Sequence, residues 1–148
     1  MAISGNNLMM NMSISVKELN DKHQLNPNNT GVSAIDRCMC LLNGDLGISD
    51  ILSIRVFEEA SLFEIRLSNA TLHVPDYCRV MKASGEYGSI SEGNLKKADT
   101  LIVVNADGSK RSEYIQDIYP TALKTLIYKI KTHRKNYILS SGIVVESD

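Results

Sequence analysis

Residues 98–136 read ADTLIVVNADGSKRSEYIQDIYPTALKTLIYKIKTHRKN, and this stretch decides the fold. Thr100 to Val104 is a run of Leu, Ile and Val, the composition of a buried strand. Asn105-Ala106-Asp107-Gly108 behind it is a turn signal, because Gly accepts a positive φ without steric cost. Lys110 and Arg111 start the return strand of a hairpin. Pro120 suits the first turn of a helix, where its missing N–H would have no partner in any case.

From Pro120 to Lys135 the apolar residues Leu123, Leu126, Ile127 and Ile130 fall at i, i+3, i+4 and i+7, which is the template of an amphipathic helix. Lys124, Tyr128, Lys131 and Lys135 repeat that spacing one residue on, so the predicted helix carries a lysine ridge with a tyrosine in its middle. One explanation is solvation: lysine stems cover apolar surface while the ammonium stays in water, and cations suit a helix C-terminus. The other is an anion-binding face made of Lys124, Tyr128, Lys131 and Lys135, widened by Lys96, Lys97, Lys110 and Arg111 if the hairpin packs beside the helix.

The charge is unevenly spread. Residues 1–93 carry 7 Lys+Arg against 11 Asp+Glu, residues 94–136 carry 9 against 4, and residues 137–148 add two acids, for a formal net charge of −1. Such polarity points to an electrostatic partner or to head-to-tail self-association. The 148 residues suffice for one domain with its own core and without a staple. The three cysteines, Cys38, Cys40 and Cys78, are an odd number, and the first twelve residues have no leader pattern, which points to reduced thiols and an intracellular, cytoplasmic setting. No apolar run has the length of a membrane span.

Residues 1–31 read as a mobile N-terminal segment and linker, with a short helix from the Ser15-Val16-Lys17-Glu18 capping box to about His23. Residues 32–148 read as a single α+β domain, mainly an antiparallel sheet with two or three helices packed on one face. Its first helix is expected from Ser33 as N-cap through Ile35, Cys38, Met39 and Leu42, stopped by Asn43-Gly44. Residues 51–74 read as strands, with Glu58-Glu59-Ala60-Ser61 as a hairpin connection and Pro75 as the stop. Ser89 and Glu92 have capping-box spacing for another short helix, and Tyr137 to Val145 reads as a last strand interrupted by Gly142.

Chemistry is thinly marked. Cys38, Cys40, Cys78 and His73 would make four zinc ligands, but the spacing is not that of a C-x₂-C knuckle, and a helix would point Cys38 and Cys40 to different faces. Asp50 with Glu64-Ile65-Arg66 resembles a metal-dependent nuclease hairpin, with arginine, which cannot shed a proton, in place of lysine. The sequence therefore predicts a non-enzymatic binding or assembly protein without cofactor or metal. Its basic face would take nucleic acid, an anionic membrane surface, or the acidic half of a neighbouring copy in a scaffold or coat-like assembly. The alternatives are the nuclease, and an inhibitor or adaptor for one protein.

Overall fold

The computed structural model describes residues 2–4, 8–10, 12, 14–24, 36–58, 61–122 and 125–147. In chain order the described elements are β1 (Ala2–Ser4), α1 (Val16–Gln24), β2 (Asp36–Leu42), β3 (Asp45–Glu58), β4 (Phe63–Arg66), β5 (Thr71–Val74), β6 (Val80–Met81), β7 (Tyr87–Gly88), β8 (Thr100–Val104), β9 (Lys110–Tyr114), β10 (Asp117–Pro120), β11 (Leu126–Thr132), β12 (Asn136–Ile138) and β13 (Val144–Glu146). They form sheets in the orders β1-β11-β3-β2, β10-β4-β5, β12-β13-β6-β7 and β8-β9. The protein is thus mainly β with one short described helix, which corrects the expectation of an α+β domain with two or three helices on a sheet.

Two expected helices are strands. In the segment expected as a helix from Pro120, Pro120 closes β10 and Leu126–Thr132 is β11, while Leu123 and Lys124 lie outside the described residues. Tyr128, Ile130 and Thr132 point inward, with Lys129 half-buried and Lys131 exposed between them. That is a period of two. Ile127 is also buried, in a small cluster with Leu62 on the opposite face, so covering both faces of the strand start conceals the alternation.

The segment expected as a helix from Ser33 is β2 over its described part, Asp36–Leu42, and Ser33 and Ile35 lie outside the described residues. The stop signal Asn43-Gly44 is instead a two-residue hairpin turn, with φ 52° and 83°. Positive φ at both central residues matches the right-handed twist of the flanking strands, so the turn joins β2 to β3 directly.

Two local expectations hold. The Asp107-Gly108 hairpin forms β8 and β9, with Gly108 at φ 90°. The Ser15 capping box is made: the Glu18 N–H donates to Ser15 Oγ at 3.2 Å, and the Ser15 N–H to Glu18 Oε1 at 3.4 Å. At Ser89 only half of the box is made: the Glu92 N–H donates to Ser89 Oγ at 3.2 Å, but the Ser89 N–H donates to Asn94 Oδ1 at 2.9 Å, and a turn forms with no helix behind it. Strands do occupy residues 51–74, yet β3 and β4 lie in different sheets and do not pair as a hairpin; Glu59 and Ala60 of the expected connection lie outside the described residues.

The principal core draws on most of the chain, including Ile3 and Leu19 from its first part, Ile51 from β3, Leu72 from β5, Ile130 from β11 and Val145 from β13. Gly142, between β12 and β13, packs closely on β8. Its φ is 89°, and a Cβ there would stand 2.5 Å from the Val104 carbonyl oxygen and 2.6 Å from Val103 Cγ1. Only glycine fits, because both the left-handed backbone and the close approach exclude a side chain.

Gly142→Ala is expected to destabilise the protein by roughly 2 kcal/mol or more, read by chemical denaturation. The strand assignment of β11 makes a second test. Ile130 is 0% exposed and Leu126 43%, so Ile130→Ala should cost roughly 2–5 kcal/mol and Leu126→Ala less than about 1 kcal/mol. Equal losses at the two sites would restore the helical stripe.

Candidate functional site at the converging chain ends

β11 is where the two described ends of the chain meet. β1 lies antiparallel along it, with Ser4 opposite Ile127, Ile3 opposite Tyr128 and Ala2 opposite Lys129. Three residues further on, the Thr132 N–H donates to Ser147 Oγ at 2.8 Å. At about 3.3 Å per residue, the two attachment points are about 10 Å apart along one strand. The Thr132 N–H is aimed at Ser147 because the β11–β3 register shifts between Lys131 and Thr132, as a bulge re-aims the backbone.

The C-terminal strand is held from both sides. Its Glu146 N–H donates to the Arg79 carbonyl at 2.9 Å, and the Ser147 N–H to the Lys135 carbonyl at 2.7 Å. Arg79 also pairs with the Glu146 carboxylate at 2.7 Å and with Glu92 at 3.1 Å, and its guanidinium lies 5.9 Å from the Tyr87 ring centre. Burial pushes the Tyr87 phenol above its ordinary pKa, with the nearby Asn136 amide acting in the opposite direction. Asn136 itself joins β12 to the edge of β2: its Oδ1 accepts the Leu41 N–H at 2.7 Å, and its Nδ2 donates to the Leu41 carbonyl at 3.0 Å.

Beside Ala2 the strand carries a cation held on aromatic rings. Lys129 Nζ lies 4.8 Å from the Phe57 ring centre and 5.7 Å from that of Tyr77, with the Arg55 guanidinium 5.9 Å from Phe57. Tyr77 follows β5, which packs against β1.

The residues singled out from sequence do not share one face. Tyr128 is buried in the principal core, so no base or lipid reaches its ring; burial raises its phenol pKa. Lys131 is exposed on β11 and Lys135 in the following turn, while Lys96 and Lys97 are exposed ahead of β8 and Lys124 lies outside the described residues. Lys110 donates to the Gly44 carbonyl, and Arg111 pairs with Glu113 at 3.1 Å and donates to Asn105 at 3.1 Å. These cations belong to strands of different sheets and to loops, not to the ridge of one helix.

The nuclease pattern also separates. Asp50 on β3 pairs with Arg37 at 3.5 Å, whereas Glu64 on β4 takes His73 Nε2 at 3.0 Å and Arg66 at 3.1 Å. Arg66 donates in turn to the Tyr119 hydroxyl at 2.7 Å, so this row is cross-strand pairing on the outer side of the β10-β4-β5 sheet. Among the described residues no group of three or more His, Cys, Asp or Glu could hold a metal ion.

Cys38 and Cys40, two residues apart on a strand, share a face, in contrast to the helical expectation; both are buried, as is Cys78. Burial, then Cys40, Asp36 and Asp50, push the Cys38 thiol up to about 12. Burial also raises Cys40, against the lowering effect of Arg134. Neither is an activated nucleophile, since the thiolate is the reactive form.

With this geometry in place, comparison with solved structures identifies the fold. The chain is similar to the TvoVMA intein, with 17% identity over 97% of this chain and 95% of that one and a TM-score of 0.81. It is also similar to a DnaB intein from Synechocystis sp. PCC 6803, at 15% identity over 99% of each chain and a TM-score of 0.76. A bacterial intein-like domain from Clostridium thermocellum matches at 10% identity, over 99% of this chain and 98% of that one, with a TM-score of 0.74. The fold is intein-like. No protein-family model and no curated protein sequence matches the chain. The neighbours overturn the expectation of a basic nucleic-acid or membrane binder, and they do not support the nuclease alternative.

The placement of the cysteines gives a pH test. The folded-state pKa of Cys38 is raised above the ordinary value of 9.0, so between about 9 and 12 the unfolded chain loses a proton that the folded chain keeps. Its contribution is full below pH 9 and is lost as pH rises toward 12, with a slope of up to about 1.4 kcal/mol per pH unit. Denaturation of wild type and Cys38→Ala across that window should show stabilities that converge as pH rises; a constant gap would refute the assignment.

Proposed function

We propose that the chain is an intein-type domain: a β scaffold that holds the two ends of its own chain on one strand, so that polypeptide joined ahead of and behind it is brought together and processed there. The observation that carries this is the convergence on β11, with Ala2 opposite Lys129 and Ser147 bonded to Thr132. Inteins are self-splicing protein domains, and the likeness to them runs through nearly the whole chain, as a function built on the ends requires.

Exchange of a peptide bond by side chains needs a hydroxyl or thiol that can attack the carbonyl carbon and a group that moves the proton. Ser147 is a hydroxyl that the described residues hold on this strand, accepting from the Thr132 N–H. A second reading, a scaffold that joins its flanks without cutting them, is favoured by the thiols Cys38 and Cys40, which are buried with raised pKa values.

The test is a fusion with one stable reporter domain ahead of residue 1 and another behind residue 148, followed by intact-mass spectrometry. The processing reading expects joined reporters or a released reporter, lowered about tenfold or more by Ser147→Ala. A fusion that stays whole and keeps the melting temperature of the free domain would leave only the scaffold reading. Loss of the domain's cooperative melting on fusion would overturn both.

A further inference from the structure

The edge of β11 that receives β1 carries an inference about the flanking chain, which rests on the intein-type reading above. β1 runs antiparallel with Ala2 opposite Lys129. Continued in that register, a residue two places ahead of Ala2 falls opposite Lys131. β11 keeps a regular register against β3 as far as Lys131 and shifts only beyond it, where the Thr132 N–H is taken by Ser147. The edge thus stays regular as far as Lys131, where a strand continued upstream in this register meets the C-terminal strand.

Directly opposed residues share a sheet face, so the residue opposite Lys131 stands on the face of Lys129 and Lys131. On β3 that face continues through Ser53 and Arg55, the partners of Lys131 and Lys129. Lys129 directs its ammonium on to the Phe57 and Tyr77 rings. Lys131 is exposed and makes no ion pair among the described residues. The row presents positive charge to whatever strand pairs there.

We propose that this edge is a subsite for the polypeptide joined ahead of the domain, and that it favours an acidic residue two places before Ala2. Opposite charges facing across an antiparallel pair stabilise the pairing, and like charges oppose it, by modest amounts at an exposed site.

The experiment uses the full chain with a Gly/Ser flank ahead of it that carries Glu or Lys two places before Ala2. Each flank is made in wild type and in Lys131→Glu, and amide hydrogen exchange of the flank peptide is followed at low salt. The Glu flank should exchange about two- to fivefold more slowly than the Lys flank in wild type, with the order reversed in Lys131→Glu and the difference reduced in about 1 M salt. Equal exchange in all four proteins, or a difference that Lys131→Glu leaves unchanged, would overturn the subsite. Thermal melting of each protein confirms that the exposed substitution leaves the fold intact. Exchange needs no peptide-bond chemistry, so a fusion that stays uncut refutes processing without deciding this point.

Discussion

The pairing of β11 with β3 is the constraint on which the rest of the structure depends. β11 buries Tyr128, Ile130 and Thr132 on one face and sets Lys129 and Lys131 on the other. A slip of one residue would exchange the two sets and drive two lysines into the core, where an unpaired charge is strongly unfavourable. The register is therefore unique, and what leans on β11 inherits its position. β1 takes its place from the opposite edge, and the shift after Lys131 aims the Thr132 N–H at Ser147.

Polar side chains then join the sheets. The Asn136 amide gives and accepts one hydrogen bond at the Leu41 peptide, behaving toward the edge of β2 as a strand would. Ser49 Oγ accepts the Arg134 N–H at 2.8 Å, and Thr132 Oγ1 donates to the Arg134 carbonyl at 2.6 Å, which fixes the turn after β11. Asn136, Ser49 and Thr132 are buried. In a low-dielectric surrounding such bonds are strong when made, and their unpaired groups are unfavourable when broken, so they specify one arrangement of the layers.

Electrostatics takes a different form from the one the charge count suggests. The described cations of residues 94–136 are spread over β9, β11, a loop and a turn. Several of its members are used within the molecule: Arg111 on Glu113, Lys110 on the β2–β3 turn, and Lys129 on two aromatic rings. Among the described residues no helix is long and apolar enough to cross a membrane.

The residues from Thr100 to Tyr114 are legible because a Leu/Ile/Val run, an Asp-Gly turn and a return strand are all local, and the Ser15 capping box is legible for the same reason. The stretch after Pro120 misleads because Leu126, Ile127 and Ile130 satisfy a helical template, although Ile127 and Ile130 are buried on opposite faces of one strand. The Asn43-Gly44 pair likewise stops a helix or turns a hairpin, and only the partner strand distinguishes them. Short-range signals by themselves determined the hairpin of β8 and β9, the helix cap and the strands of residues 51–74. The meeting of Ala2, Lys129, Thr132 and Ser147 was decided by tertiary structure, because β1 reaches β11 across more than a hundred positions and Ser147 reaches Thr132 through a register shift against β3, neither of which a local spacing encodes.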